Sequence, residues 1–106
     1  MALIEVNENN FTDEVTNASC PVVVDLWAPW CGPCRALAPT MEEINAEFNS
    51  KAKVVKINID DNPAIAAKYN VMSIPTILFF KDGQVEGQLV GLVAKEKIAD
   101  KLNELL

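Results

Sequence analysis

The chain has 106 residues, half of them hydrophobic, which is enough for one core without disulfide or metal staples, so a single domain over residues 1–106 is expected. A formal net charge of −6 argues against sequence-independent binding of nucleic acid, which needs a basic face. There is no histidine, so Cys-His and Ser-His catalysis and histidine metal sites are excluded, and proton chemistry falls to carboxylates, lysine or thiols.

Ala2–Val6 alternates as a short strand. Asn9 or Asn10 can cap a helix running to about Asn17, with Phe11 and Val15 on one face and Asp13 and Glu14 near its positive end. The apolar run from Pro21 to Ala28 reads as a strand buried on both faces. From about Gly32 to Phe48 the spacing turns helical, with Leu37, Met41, Ile44 and Phe48 on one stripe. Pro39 inside that helix removes one backbone hydrogen bond and predicts a kink. Ala52–Ile59 is the next strand, and Pro63 can begin a short helix to about Tyr69. Thr76–Lys81 and Gln84–Val90 flank Asp82-Gly83, a tight-hairpin signal. A last helix presents Ile98, Leu102 and Leu105, but Val93-Ala94-Lys95 supplies no capping side chain at its start. The order β-α-β-α-β-α-β-β-α predicts two parallel crossover units, an antiparallel hairpin and a closing helix.

No stretch approaches the roughly 20 apolar residues of a membrane span. Met1–Asn7 lacks a basic region followed by a long apolar segment, so no signal peptide is visible and a cytoplasmic location is expected. Structural disulfides are rare in that compartment.

Against that background Cys31-Gly32-Pro33-Cys34, between a strand and a helix, reads as a redox motif. With Cys31 as the helix cap, its sulfur lies at the positive end of the macrodipole, which favours thiolate. Pro33 has no N–H, so the nearest backbone donor is that of Cys34. Cys34, one turn in, is expected to be shielded and neutral, so the two sulfurs should differ in exposure and reactivity. A structural disulfide here would close too small a loop to restrict the unfolded chain much. A zinc site lacks partners, since Cys20 is the only other cysteine. Asp25 interrupts an apolar strand, where desolvation should raise its pKa; Lys56 interrupts the next apolar run in the same way. Cys20, in the turn before Pro21, reads as an inert, half-exposed thiol.

These residues together carry a specific resemblance. Val24-Asp25-Leu26-Trp27-Ala28-Pro29-Trp30-Cys31-Gly32-Pro33-Cys34-Arg35, Pro39, Lys56-Ile57-Asn58-Ile59-Asp60, Ile74-Pro75-Thr76, Asp82-Gly83 and Val90-Gly91 are similar to the thioredoxin family over essentially the whole chain. The resemblance implies an α/β thioredoxin fold, a central five-stranded mixed sheet flanked by four helices. It implies a protein-disulfide reductase with Cys31 as nucleophile and Cys34 as resolving thiol, cycling through a Cys31–Cys34 disulfide. Asp25 would help deprotonate Cys34, with Lys56 nearby, and Trp27 would pack beneath the motif. It further implies a cis Pro75 facing the cysteines and a shallow docking groove of Trp30, Gly32, Pro33, Ile59, Ile74, Pro75, Val90 and Gly91. Taken singly, Ile59 and Val90 read as plain core.

No bound cofactor or metal is implied. Electrons would come from NADPH through a thioredoxin reductase, clients would be disulfide-containing proteins, and the chain would act as a monomer away from membranes. Family oxidases and isomerases commonly carry a histidine between the cysteines, so Gly32-Pro33 implies a reductant. Pro29, Leu26 and Met72-Ser73 depart from common family residues, the last pair at a position that bears on partner choice. A non-catalytic binding module within a larger complex is the alternative, separable by replacing both cysteines.

Overall fold

A computed structural model describes residues 3–106; Ala2, the expected start of the first strand, lies outside them. Among the described residues the strands are β1 (Ile4–Glu5), β2 (Val22–Trp27), β3 (Lys53–Asn58), β4 (Thr76–Lys81) and β5 (Gln84–Val90). They form one sheet in the order β1-β3-β2-β4-β5, with β1, β3 and β2 mutually parallel and β4 antiparallel to both β2 and β5. The helices are α1 (Gly32–Glu47), α2 (Pro63–Lys68) and α3 (Lys95–Leu105), preceded by a π-helical turn, Thr12–Thr16. The expected five-stranded mixed sheet with four helices is therefore observed.

Strand periodicity sorts the core into two layers. Val23, Val54, Ile77 and Phe79 point to the face covered by Leu37, Met41 and Ile44 of α1 and by Ile98 and Leu102 of α3. Val22, Val24, Leu26, Val55, Ile57, Leu78 and Phe80 point to the other face, under Phe11, Val15 and Ile65. There Phe80 meets Phe11 and Tyr69 edge-on, with ring centroids 5.8 and 5.4 Å apart. The central strands are buried on both sides, which is why they read as continuous apolar runs.

The first helical segment departs from expectation. Neither Asn9 nor Asn10 caps it; Phe11 occupies the cap position without a side-chain bond. Instead Asn7 Oδ1 accepts the N–H groups of Asn9 (2.8 Å) and Asn10 (3.1 Å), which closes an Asx-type turn just ahead of the helix. The Asn17 N–H then reaches Thr12 O, five residues back, at 2.8 Å, which closes a π-type turn. α1 continues through Pro39. In the hairpin, Asp82 (φ 53°) and Gly83 (φ 80°) both adopt the left-handed conformation that a two-residue turn with native twist requires. Ala94 stands at the cap position ahead of α3 and supplies no side-chain cap, as the sequence predicts. Lys95 of α3 reaches Glu47 of α1 at 2.5 Å and Glu43 at 3.5 Å.

Candidate active site

The topology brings the chemistry-bearing segments to one end of the sheet. The parallel strands β2 and β3 both finish there, at Trp27 and Asn58, and the antiparallel β4 starts there at Thr76. β5 returns to the same end, where Val90 pairs with Thr76. Cys20 precedes β2 whereas Cys31 follows it, so a strand of about 20 Å separates them. Cys20 is a half-buried free thiol outside the site.

Cys31 and Cys34 form a disulfide with Cα atoms 5.3 Å apart. Cys31 is the N-cap of α1 in an extended conformation, and its Sγ accepts the Cys34 N–H at 3.2 Å, the donor that a proline at position 33 leaves in reach. The Sγ also lies 3.8 Å from the carbonyl oxygen of Ile74, across the cis Ile74–Pro75 bond. Cys34 heads the buried stripe Cys34, Leu37, Met41, Ile44 of α1 and so faces the sheet, while Gly32, Pro33 and Arg35 face out.

One expectation requires correction. The two cysteines do not differ in exposure in the disulfide: Cys31 is 4% and Cys34 3% exposed. The covalent ring holds both sulfurs beside Ala28, Trp27, Ile59 and Ile74. Their difference lies in what they face: Cys31 meets the helix terminus and Ile74, and Cys34 a largely apolar cavity into which Asp25 and Lys56 are set.

That cavity, about 170 Å³, is bordered by Cys34, Asp25, Trp27, Lys56, Arg35 and Glu42 among others. Asp25 and Lys56 are register partners on adjacent strands and share a sheet face, the one under α1. Asp25 is 5% exposed, and its Oδ1 makes no hydrogen bond among the described residues. Desolvation raises its pKa from 3.8 to about 7, against the opposing attraction of Lys56. Lys56 Nζ lies 5.5 Å from the centre of the Trp27 ring, a cation–π distance. Trp27 packs against the cysteines as expected, although its Nε1 has no partner among the described residues.

The opposite side of the disulfide opens into a shallow groove of about 320 Å³ formed by Trp30, Ile59, Val71, Met72, Ser73 and Ile74. Trp30 is 66% exposed, yet its Nε1–H donates to both carboxylate oxygens of Asp60, at 3.0 and 3.2 Å. Sequence reading did not assign Asp60 a place in the site; thirty residues separate it from Trp30, and no local pattern marks the pair. Val90 is half exposed and Ile59 partly so, so neither is plain core. The Gly91 N–H donates to the Pro75 carbonyl at 2.8 Å, and a φ of 89° there favours glycine. Among the described residues no cluster of three or more His, Cys, Asp or Glu could hold a metal ion, and no helix is long and apolar enough to cross a membrane.

Taken together, a cap-position sulfur, a second sulfur beside a proton-avid carboxyl, and an apolar groove suit dithiol–disulfide exchange with an extended chain. Comparison with known proteins agrees. The thioredoxin family model matches residues 2–104. A thioredoxin of Pyropia yezoensis is 48% identical over 106 residues, covering all of this chain and 99% of that protein. A thioredoxin of Staphylococcus aureus is 44% identical over the whole of both chains. A chloroplastic M-type thioredoxin of Spinacia oleracea is 42% identical over 96% of this chain and 56% of its own length.

Proposed function

Because the chain belongs to the thioredoxin family and is a thiol–disulfide oxidoreductase acting as a protein-disulfide reductase, we propose a division of labour among its site residues. Cys31 thiolate attacks one sulfur of a client disulfide, expels the other as a thiolate and forms a mixed disulfide. Cys34 gives its proton to the Asp25 carboxylate, and the resulting thiolate attacks the Cys31 sulfur. The client leaves reduced by two electrons, and the Cys31–Cys34 disulfide remains. The observation that carries this reading is the placement of the two sulfurs, Cys31 at the N-cap of α1 accepting the Cys34 N–H, and Cys34 on the buried stripe beside the Asp25 cavity.

Asp25 suits the proton step because a carboxyl with a pKa of about 7 is present in both forms near neutral pH. Lys56 tempers that basicity by favouring the charged form. The extended client segment lies along Ile74 and Pro75, with Trp30, Gly32, Pro33, Ile59, Val90 and Gly91 as the rim. The cycle needs no resident cofactor; electrons come from NADPH through a thioredoxin reductase. Gly32-Pro33 puts no cationic group between the cysteines, which favours a reductant over an oxidase. We further propose that residues 1–106 work as one monomeric domain in the cytoplasm.

Insulin reduction with NADPH and a thioredoxin reductase tests the whole scheme. Turnover abolished by Cys31→Ser supports it, and a Cys34→Ser protein should stall as the mixed disulfide. Partner function that survives loss of both cysteines would instead establish the binding-module alternative, which the relatives do not support.

A further inference from the structure

Met72 stands out among the large apolar side chains. It is 92% exposed, yet it forms part of the groove with Trp30, Val71 and Ile74, two residues before the carbonyl that Cys31 Sγ approaches. The other methionine among the described residues, Met41, is 0% exposed in the core under α1. Thioether oxidation follows access, so peroxide should discriminate sharply between the two. With Cys31 and Cys34 joined, neither active-site sulfur is a thiolate, and Met72 is the reactive sulfur left on this face.

We propose that Met72 is an oxidation site through which peroxides weaken the groove's hold on client proteins. This regulation rests on the reductase reading above. The thioether attacks the peroxide O–O bond and gains one oxygen. The sulfur is oxidised by two electrons, and the peroxide's other oxygen leaves as water. A flexible apolar side chain becomes a polar sulfoxide. A client that covers it must then desolvate the S=O group against an apolar lining of Trp30, Ile59, Val71 and Ile74. The Trp30 N–H is already held by Asp60, and the Ser73 hydroxyl is the one side-chain donor left in the lining to offset that cost in part.

The test uses Cys20→Ser protein, which removes the one free thiol outside the site. The disulfide form is treated with hydrogen peroxide and mapped by peptide mass spectrometry. After reduction by dithiothreitol and removal of the reductant, single-turnover rates are measured with insulin and with hydroxyethyl disulfide, which is too small to need the groove. Oxygen should appear on Met72 well before Met41. The insulin rate constant should fall about fivefold while the small-disulfide rate holds within about twofold. Met72→Leu should abolish the response to peroxide, and Met72→Gln should slow insulin reduction without treatment. Equal oxidation of the two methionines, or an unchanged insulin rate with Met72 fully oxidised, overturns the proposal. Untreated protein that reduces neither disulfide would sink the reductase reading itself.

Discussion

Replacing Asp25 by Asn separates burial of a charge from every other property of that position. In the unfolded chain the carboxyl ionises near 3.8, and in the fold near 7 because it is desolvated. Between those values the folded state holds a proton that the unfolded state has lost, so unfolding becomes easier as pH rises. The contribution to stability is thus fully present below about pH 3.8, drains away up to about pH 7 and stays lost above. Each pH unit of separation is worth about 1.4 kcal/mol, so ionisation inside the fold costs about 4 kcal/mol. Asn cannot ionise. Its buried amide carries a constant cost, about 1–3 kcal/mol where unpartnered, and that cost cancels when two pH values are compared. Urea denaturation of the disulfide form should therefore show the variant gaining about 4 kcal/mol relative to the parent between about pH 4 and about pH 8. A stability difference that does not change with pH would refute the argument that desolvation dominates this carboxyl.

Lys56→Gln removes the attraction that favours ionised Asp25, so the Asp25 titration should move further up and the pH profile of mixed-disulfide resolution with it; an unmoved profile would show that Lys56 does not act through Asp25. Ala94→Asp supplies the missing cap at the start of α3 and should add about 1 kcal/mol, visible as a thermal midpoint about 4 °C or more higher. Gly83→Ala would place a Cβ 3.0 Å from the Thr16 carbonyl at a φ of 80°, and should cost about 1–2 kcal/mol or more in urea unfolding. Gly91→Ala meets no atom within 4 Å and should lose only the conformational part, so equal costs at the two glycines would contradict the close-approach argument.

The site joins two environments across one disulfide. On the α1 side, Asp25 and Lys56 line a cavity where burial makes charge costly. On the other, Trp30, Met72 and Ile74 offer apolar surface along a shallow groove. Ten residues, Asp25 to Cys34, carry the chain from β2 into α1. The Trp30–Asp60 bond ties the groove's exposed aromatic to the loop after β3.

Much of this was legible along the chain because it depends on neighbours in sequence. The strands read true because burial on both faces demands unbroken apolar runs, and the hairpin because few residues besides Asp, Asn and Gly adopt left-handed turns. The stripe that begins at Cys34 follows from helical periodicity, and the partner for Cys31 Sγ from proline's missing N–H. The Asx turn at Asn7 and the π-type turn do not show in the sequence because several asparagines compete there and only the folded backbone selects among them. Three features were decided by the tertiary structure alone: the equal burial of the two cysteines, the exposure of Val90, and the Trp30–Asp60 bond. Each is set by segments that approach through space from distant parts of the chain, and a one-dimensional pattern encodes which face a side chain takes but not what arrives to cover it.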